Sequence, residues 1–129
     1  MSDKPIRILY IDDEEHNLHS FKATFRKQWE ITTTVSVVDA EELIEKKDFN
    51  IILADQRMPI MTGVQFFEKI RDKFLNIIRI LITGHTDVGA AIDAINKGEV
   101  FRFIDKPWDE NKLIQTVCDA IDVGLTKKG

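Results

Sequence analysis

Five residues of this 129-residue chain have the types needed to handle a phosphoryl group: the acid pair Asp12 and Asp13, a third acid Asp55, the hydroxyl of Thr83 and the ammonium of Lys106. A carboxylate can attack a phosphorus centre and hold the group as an acyl phosphate. Clustered carboxylates repel one another and need a cation, and an all-oxygen set of this kind suits magnesium. Metal, ammonium and hydroxyl would then share the charge on the phosphoryl oxygens. No catalytic triad, zinc-spaced Cys/His set or glycine-rich phosphate loop competes for attention, and Gly89 and Gly98 read as helix punctuation or packing.

For that chemistry to occur, residues far apart in sequence must meet, and the elements between them say how. Ile6–Ile11 reads as a buried strand that delivers Asp12 and Asp13 at its carboxyl end. Leu18, Phe21 and Phe25 then recur at helical spacing. Ile31–Val37 is rich in Thr and Val and suits a strand near a sheet edge. Asp39-Ala40-Glu41-Glu42 has capping-box form and is expected to open a short helix with Leu43 and Ile44 inward. Ile51–Ala54 is a second buried strand, running straight into Asp55.

Thr62-Gly63-Val64-Gln65 is another capping box, and Val64, Phe67, Ile70 and Phe74 should line one face of the helix it starts. Ile77–Ile82 is a strand ending at Thr83-Gly84, and Thr86 can cap a helix that buries Val88, Ala91, Ile92 and Ile95. Val100–Ile104 is the last strand, with Arg102 suited to an edge, and Leu113, Val117, Ile121 and Leu125 mark a closing helix. Strand–helix alternation repeated five times implies a parallel sheet covered on both faces. Right-handed crossovers favour the order 2-1-3-4-5, in which ligands bind at the carboxyl ends of the strands. Those ends carry Asp12, Asp13, Asp55, Thr83 and Lys106.

Composition bounds the rest. A length of 129 residues fits one domain over 1–129, with an ordered core expected over about 5–125. Hydrophobic residues make up 43% and charged residues 31%, enough for a core and for a solvated surface. A net charge of -4 is too mild to argue for direct contact with nucleic acid or with a membrane surface. One cysteine, Cys118, excludes an internal disulfide and is expected to be a small core residue. Met1–Pro5 lacks the apolar stretch of a signal peptide, and no apolar run approaches the ~20 residues of a membrane helix. The expectation is a soluble cytoplasmic domain.

Taken singly, the key residues have plain structural readings. Asp12-Asp13-Glu14-Glu15 suits a helix N-terminus, Asp55 a turn, Thr83 a helix cap and Lys106 a solvated surface. His16 and His19 have no metal partners in sequence and read as surface, while Trp108 reads as packing over the last loop. Only the constellation argues for function.

The constellation resembles the receiver domains of two-component response regulators. The resemblance rests on Ile11-Asp12-Asp13-Glu14, Ala54-Asp55-Gln56-Arg57-Met58-Pro59, Gly63, Leu81-Ile82-Thr83-Gly84 and Ile104-Asp105-Lys106-Pro107, in order along the whole chain. It implies a flavodoxin-like, CheY-like α/β fold with a doubly wound five-stranded parallel sheet and five helices. It implies that Asp55 is the phosphoacceptor, with a histidine kinase or phosphotransfer protein as donor. Asp12, Asp13, Asp55 and the backbone carbonyl of Arg57 would hold Mg2+, for which Mn2+ can substitute. Thr83 would bind a phosphoryl oxygen, Lys106 would pair with the phosphate, and Lys106-Pro107 would be a cis peptide.

By the same resemblance Thr83 and Phe103 form the switch. Phosphorylation brings an anionic load of about -1.5 to -2, Thr83 moves toward it, and Phe103 fills the vacated space. The family often has tyrosine at that position, so a hydrogen bond from its hydroxyl is lost here. The fourth helix, fifth strand and fifth helix would then meet an output domain, a partner protein or a second copy. Arg57 and His85 would tune hydrolysis. The implied role is a phosphoacceptor switch and not a turnover enzyme. The string from Phe101 to Asp109 resembles receivers fused to enzymatic outputs; the expectation is either a stand-alone receiver or the front part of a longer regulator.

Two other classes share parts of the pattern. A magnesium-dependent phosphatase with an aspartate nucleophile would need a cap or an added substrate pocket, for which no insertion is long enough. A flavodoxin-type flavin carrier would want a Ser/Thr/Gly phosphate loop where this chain has Asp12-Asp13-Glu14-Glu15.

Overall fold

Apolar β-branched runs make the strands, and helical apolar stripes cover them on both sides. The computed structural model describes residues 5–84, 87–97 and 99–128. The elements are β1 (Arg7–Ile11), α1 (Glu15–Phe25), β2 (Glu30–Thr34), α2 (Val37–Lys46), β3 (Ile51–Asp55), α3 (Gly63–Ile70), β4 (Ile78–Thr83), α4 (Val88–Asn96), β5 (Arg102–Asp105) and α5 (Glu110–Lys128). All strand pairs are parallel and the sheet order is β2-β1-β3-β4-β5, as expected from the alternation. β1, β3 and β4 are central, which is why they read as mostly apolar runs, interrupted in β4 by Arg79. The polar strands β2 and β5 are the edges.

Period-two alternation sends side chains to two cores. Leu9, Ile11, Ile52, Ala54 and Leu81 face α2, α3 and α4. Ile8, Tyr10, Ile51, Leu53, Ile80 and Ile82 face α1 and α5. The second core is strongly aromatic: Phe21 contacts Tyr10, Phe25 and Trp29, with centroids 4.9, 5.0 and 6.5 Å away. Trp108 closes this cluster from the last loop, 5.8 Å from Phe21 and 6.2 Å from Tyr10, so its packing role holds. His16 and His19 are exposed on α1.

Several expectations need correction. α2 begins at Val37, capped by Ser36, three residues before the expected cap Asp39. Thr34 Oγ1 accepts the Ser36 N–H at 3.2 Å and ends β2, and Ser36 then caps the helix by accepting from the Asp39 N–H at 3.3 Å. Asp39 therefore lies in the first turn instead of capping it. α4 packs through the small residues Ala91 and Ala94, which leaves Ile92 49% exposed. Val100 belongs to the turn before β5, because the Glu99 and Val100 N–H groups both donate to the Ala94 carbonyl. The inward positions of α5 are Leu113, Val117 and Ala120, so Cys118 falls one step past Val117 and is exposed, not core. Thr86 and Gly98 lie outside the described residues, as does the side chain of Leu125. Among the described residues no helix is long and apolar enough to cross a membrane.

Candidate functional site

The site lies at the carboxyl rim of the sheet, where β1, β3, β4 and β5 each place a group. Asp55 is the last residue of β3, and Asp12 follows the last residue of β1. Thr83 ends β4, and Lys106 follows β5, where its N–H donates to the Thr83 carbonyl at 2.9 Å. The chain turns immediately after through a cis Lys106-Pro107 peptide.

α3 is seated against this rim by three local features. Thr62 and Gln65 form the capping box expected from sequence, at 3.1 and 2.9 Å. Gln56 accepts from the next two N–H groups, its carbonyl from Gly63 and its Oε1 from Val64, both at 3.1 Å. A Cβ on Gly63 would stand 2.7 Å from the Asp55 carbonyl oxygen and 2.7 Å from Leu81 Cδ1, so glycine allows the first turn of α3 to press onto the end of β3.

Asp12, Asp13 and Asp55 offer carboxylate oxygens that all lie within 4.8 Å of one another. Asp12 is fully buried and Asp55 nearly so, while Asp13 is exposed. Such a set of hard oxygen donors, half open to solvent, fits a divalent cation that keeps part of its water shell. Lys106 Nζ lies 2.8 Å from Asp55 Oδ1 and 3.4 Å from Asp12 Oδ2. Asp12 Oδ2 also accepts from the Tyr10 hydroxyl at 2.7 Å and from Asn17 Nδ2 at 3.1 Å, and Oδ1 accepts from the Glu14 N–H at 2.9 Å.

Electrostatics follow from burial and neighbours. Burial pushes the Asp55 carboxyl up to about 6; the Lys106 hydrogen bond opposes this and the Asp12 charge reinforces it. Burial alone would lower the Lys106 ammonium, but the hydrogen bond and charge of Asp55, and then Asp12, outweigh it and raise it. Burial, followed by the Asp12 charge, drives the Tyr10 phenol far above its ordinary range, so it stays a hydrogen-bond donor.

The other expected site residues are distributed around this centre. Asp13, Glu14, Asp55, Arg57, Gly84, Asp87 and Lys106 line an open cleft of about 370 Å³. Arg57 turns its side chain along the cleft mouth to Asp87, the N-cap of α4, with Nε 2.8 Å from Oδ2. Thr83 is buried beside the cleft and its hydroxyl donates to the Gly84 carbonyl at 3.2 Å. Phe103 is half-buried, packed against the core under α4. His85 lies outside the described residues.

Tyr10, Asn17, Gln56 and Asp87 were not anticipated at the site. Tyr10 was legible in principle, since positions two apart on a strand share a face and this one precedes Asp12 by two. Asp87 was not, because its partner is 30 residues away in sequence.

Residues 8–118 match the family model described as the response regulator receiver domain. The hydrogenase transcriptional regulatory protein HoxA of Cupriavidus necator is 35% identical over 122 residues, which is 95% of this chain and 25% of that protein. The chain thus spans about a quarter of the length of this curated relative. The crystal structure of an adenylate cyclase from Rhodopirellula baltica superposes with a TM-score of 0.90 at 33% identity, covering 97% of this chain and 95% of that one. A response regulator receiver domain protein from Clostridium thermocellum superposes with a TM-score of 0.80 at 25% identity, covering 95% and 96%.

Proposed function

The chain belongs to the response regulator receiver domain family of two-component systems, and on that premise we propose that Asp55 accepts a phosphoryl group from a histidine kinase or phosphotransfer protein in the cytoplasm. The observation that carries this reading is the single ammonium of Lys106 bridging the buried carboxylates of Asp12 and Asp55 at the mouth of an open cleft.

Asp55 Oδ attacks the phosphorus of a phosphohistidine, the P–N bond breaks as the P–O bond forms, and the imidazole leaves with the bond pair. The ordinary carboxylate form is needed for attack, and with a pKa of about 6 it predominates at neutral pH. Lys106 is already placed to follow the new anion. Thr83 can turn its hydroxyl from the Gly84 carbonyl to a phosphoryl oxygen, and Phe103 can then follow into the space it leaves. Asp12, Asp13, Asp55 and the Arg57 carbonyl would hold Mg2+, which supplies charge neutralisation on the phosphoryl oxygens. The domain acts stoichiometrically, with at most slow self-phosphorylation and dephosphorylation.

The output face is α4-β5-α5. There Arg102 pairs with Asp119, lies over the Phe101 ring at 4.9 Å, and shares Asp119 with Gln115, while Ile92 of α4 is exposed. An output domain, a separate protein or a second copy would read its change of shape. The relatives include a transcriptional regulator and an adenylate cyclase, so the switch serves more than one output chemistry.

The test is intact-protein mass after incubation with acetyl phosphate, with and without Mg2+, beside Asp55→Asn. One labile phosphoryl group that needs Mg2+ and vanishes in Asp55→Asn supports the reading. No gain with acetyl phosphate or with phosphorylated donor proteins would overturn it.

A further inference from the structure

Tyr10 is the one tyrosine of the chain and is fully buried in β1. Its ring is held edge-on between Phe21, at 4.9 Å, and Trp108, at 6.2 Å. Its hydroxyl reaches out of this apolar cluster to a single acceptor, Asp12 Oδ2, at 2.7 Å. An ionised carboxylate has room for about four hydrogen bonds. Asp12 accepts three, from Tyr10 and Asn17 at Oδ2 and from the Glu14 N–H at Oδ1, and Lys106 stands 3.4 Å from Oδ2 as an ion pair.

These donors differ in what a cation would do to them. Lys106, at 3.4 Å and positively charged, is the partner that an arriving cation repels. The Glu14 N–H and Asn17 belong to the start of α1, on the solvent side. Tyr10 alone approaches from the core, on a ring that cannot swing, and is neutral. It therefore fixes the carboxylate plane whether or not Lys106 stays.

We propose that Tyr10 is a positioning residue for the divalent-cation site, holding Asp12 from the core side so that the carboxylate faces Asp13 and Asp55. This rests on the reading of the three acids as a magnesium site. Partners of this kind behind a metal ligand typically change metal affinity about 10- to 100-fold when removed.

The test titrates MgCl2 into the wild-type protein and into Tyr10→Phe by calorimetry, with urea unfolding to verify that both are folded. Phenylalanine keeps the ring between Phe21 and Trp108 and deletes only the oxygen. The expected result is Mg2+ binding weakened about tenfold or more in Tyr10→Phe. A second measurement needs no variant: in protein labelled with 13C at tyrosine Cζ, Tyr10 gives one resonance, and MgCl2 should shift it with the calorimetric midpoint. A ring that serves packing alone would not move.

Equal affinities within about twofold, or a resonance indifferent to saturating MgCl2, would overturn the assignment of Tyr10 while leaving the metal site intact. Absence of Mg2+ binding by the wild-type protein would overturn the metal site itself, and the role of Tyr10 with it.

Discussion

The Lys106 ammonium stands 2.8 Å from Asp55 Oδ1 and is the counter-charge that keeps a buried carboxylate ionisable. Burial has already lifted Asp55 to about 6 against this opposition. Replacing the lysine by an apolar side chain of similar length removes the opposing influence and leaves the repulsion from Asp12. In Lys106→Met, without divalent cations, the Asp55 protonation midpoint is expected to climb further. Titration of the Asp55 carboxyl carbon by NMR measures it. An unchanged or lower midpoint would show that Lys106 is not the group that stabilises the anion.

The raised Asp55 value also makes stability depend on pH. The folded pKa of about 6 lies above the ordinary 3.8. Between these values the folded state holds more of the proton than the unfolded chain does, so unfolding free energy declines as pH rises. The contribution is complete below the unfolded value and is lost as pH passes through the folded one. Asp55→Asn lacks this loss, although it also takes a partner from Lys106. Without divalent cations it should be more stable than wild type by about 1–2 kcal/mol near neutral pH, with the advantage gone in acid below the unfolded pKa. Urea unfolding across that range is the measurement, and an advantage that grows toward acid would reverse the sign.

Gly63 gives the most local test of how the fold positions Asp55. An added methyl would meet the Asp55 carbonyl and Leu81 Cδ1 at 2.7 Å, and the backbone oxygen cannot step aside as a side-chain end can. Gly63→Ala should cost about 1–3 kcal/mol and slow phosphorylation by acetyl phosphate, since the strand end moves with its carbonyl. Stability within a few tenths of wild type would mean that α3 can retreat freely from β3.

The sheet order and the convergence of Asp12, Asp55, Thr83 and Lys106 were legible because buried parallel strands are apolar runs and their carboxyl ends are fixed points. Helix phase was less legible where apolar residues are dense. Val64, Phe66, Phe67, Ile70 and Phe74 fit more than one stripe, and the one chosen left out Phe66, which is fully buried. In α2 the cap is Ser36, three residues before the expected Asp39, and the turn built by Thr34 is what places it. Ile92 and Cys118 were placed inside because apolar type was read as burial, whereas Ala91 and Ala94 take the contact in α4 and Leu113, Val117 and Ala120 take it in α5. Side-chain bonds across loops, such as Gln56 to α3, leave no periodic trace at all.

Arg57 and Asp87 join the loop after β3 to the N-cap of α4 through a forked contact, with Nε at 2.8 Å and a second nitrogen at 3.4 Å. The arginine side chain is 73% exposed, so screening limits what the pair adds to stability. A double-mutant cycle of Arg57→Ala and Asp87→Ala should give a small favourable coupling in low salt that falls toward zero in high salt. The location matters more than the size. The guanidinium is anchored two residues past Asp55, beside the cleft that would receive the phosphoryl group. That anion would compete with Asp87 for the same side chain and would loosen the tie to α4, one of the three elements of the proposed output face. The coupling measured with acetyl phosphate and Mg2+ present should therefore be smaller than in the unmodified protein. A larger coupling would mean that phosphorylation tightens the strap, and that Arg57 restrains α4 instead of releasing it.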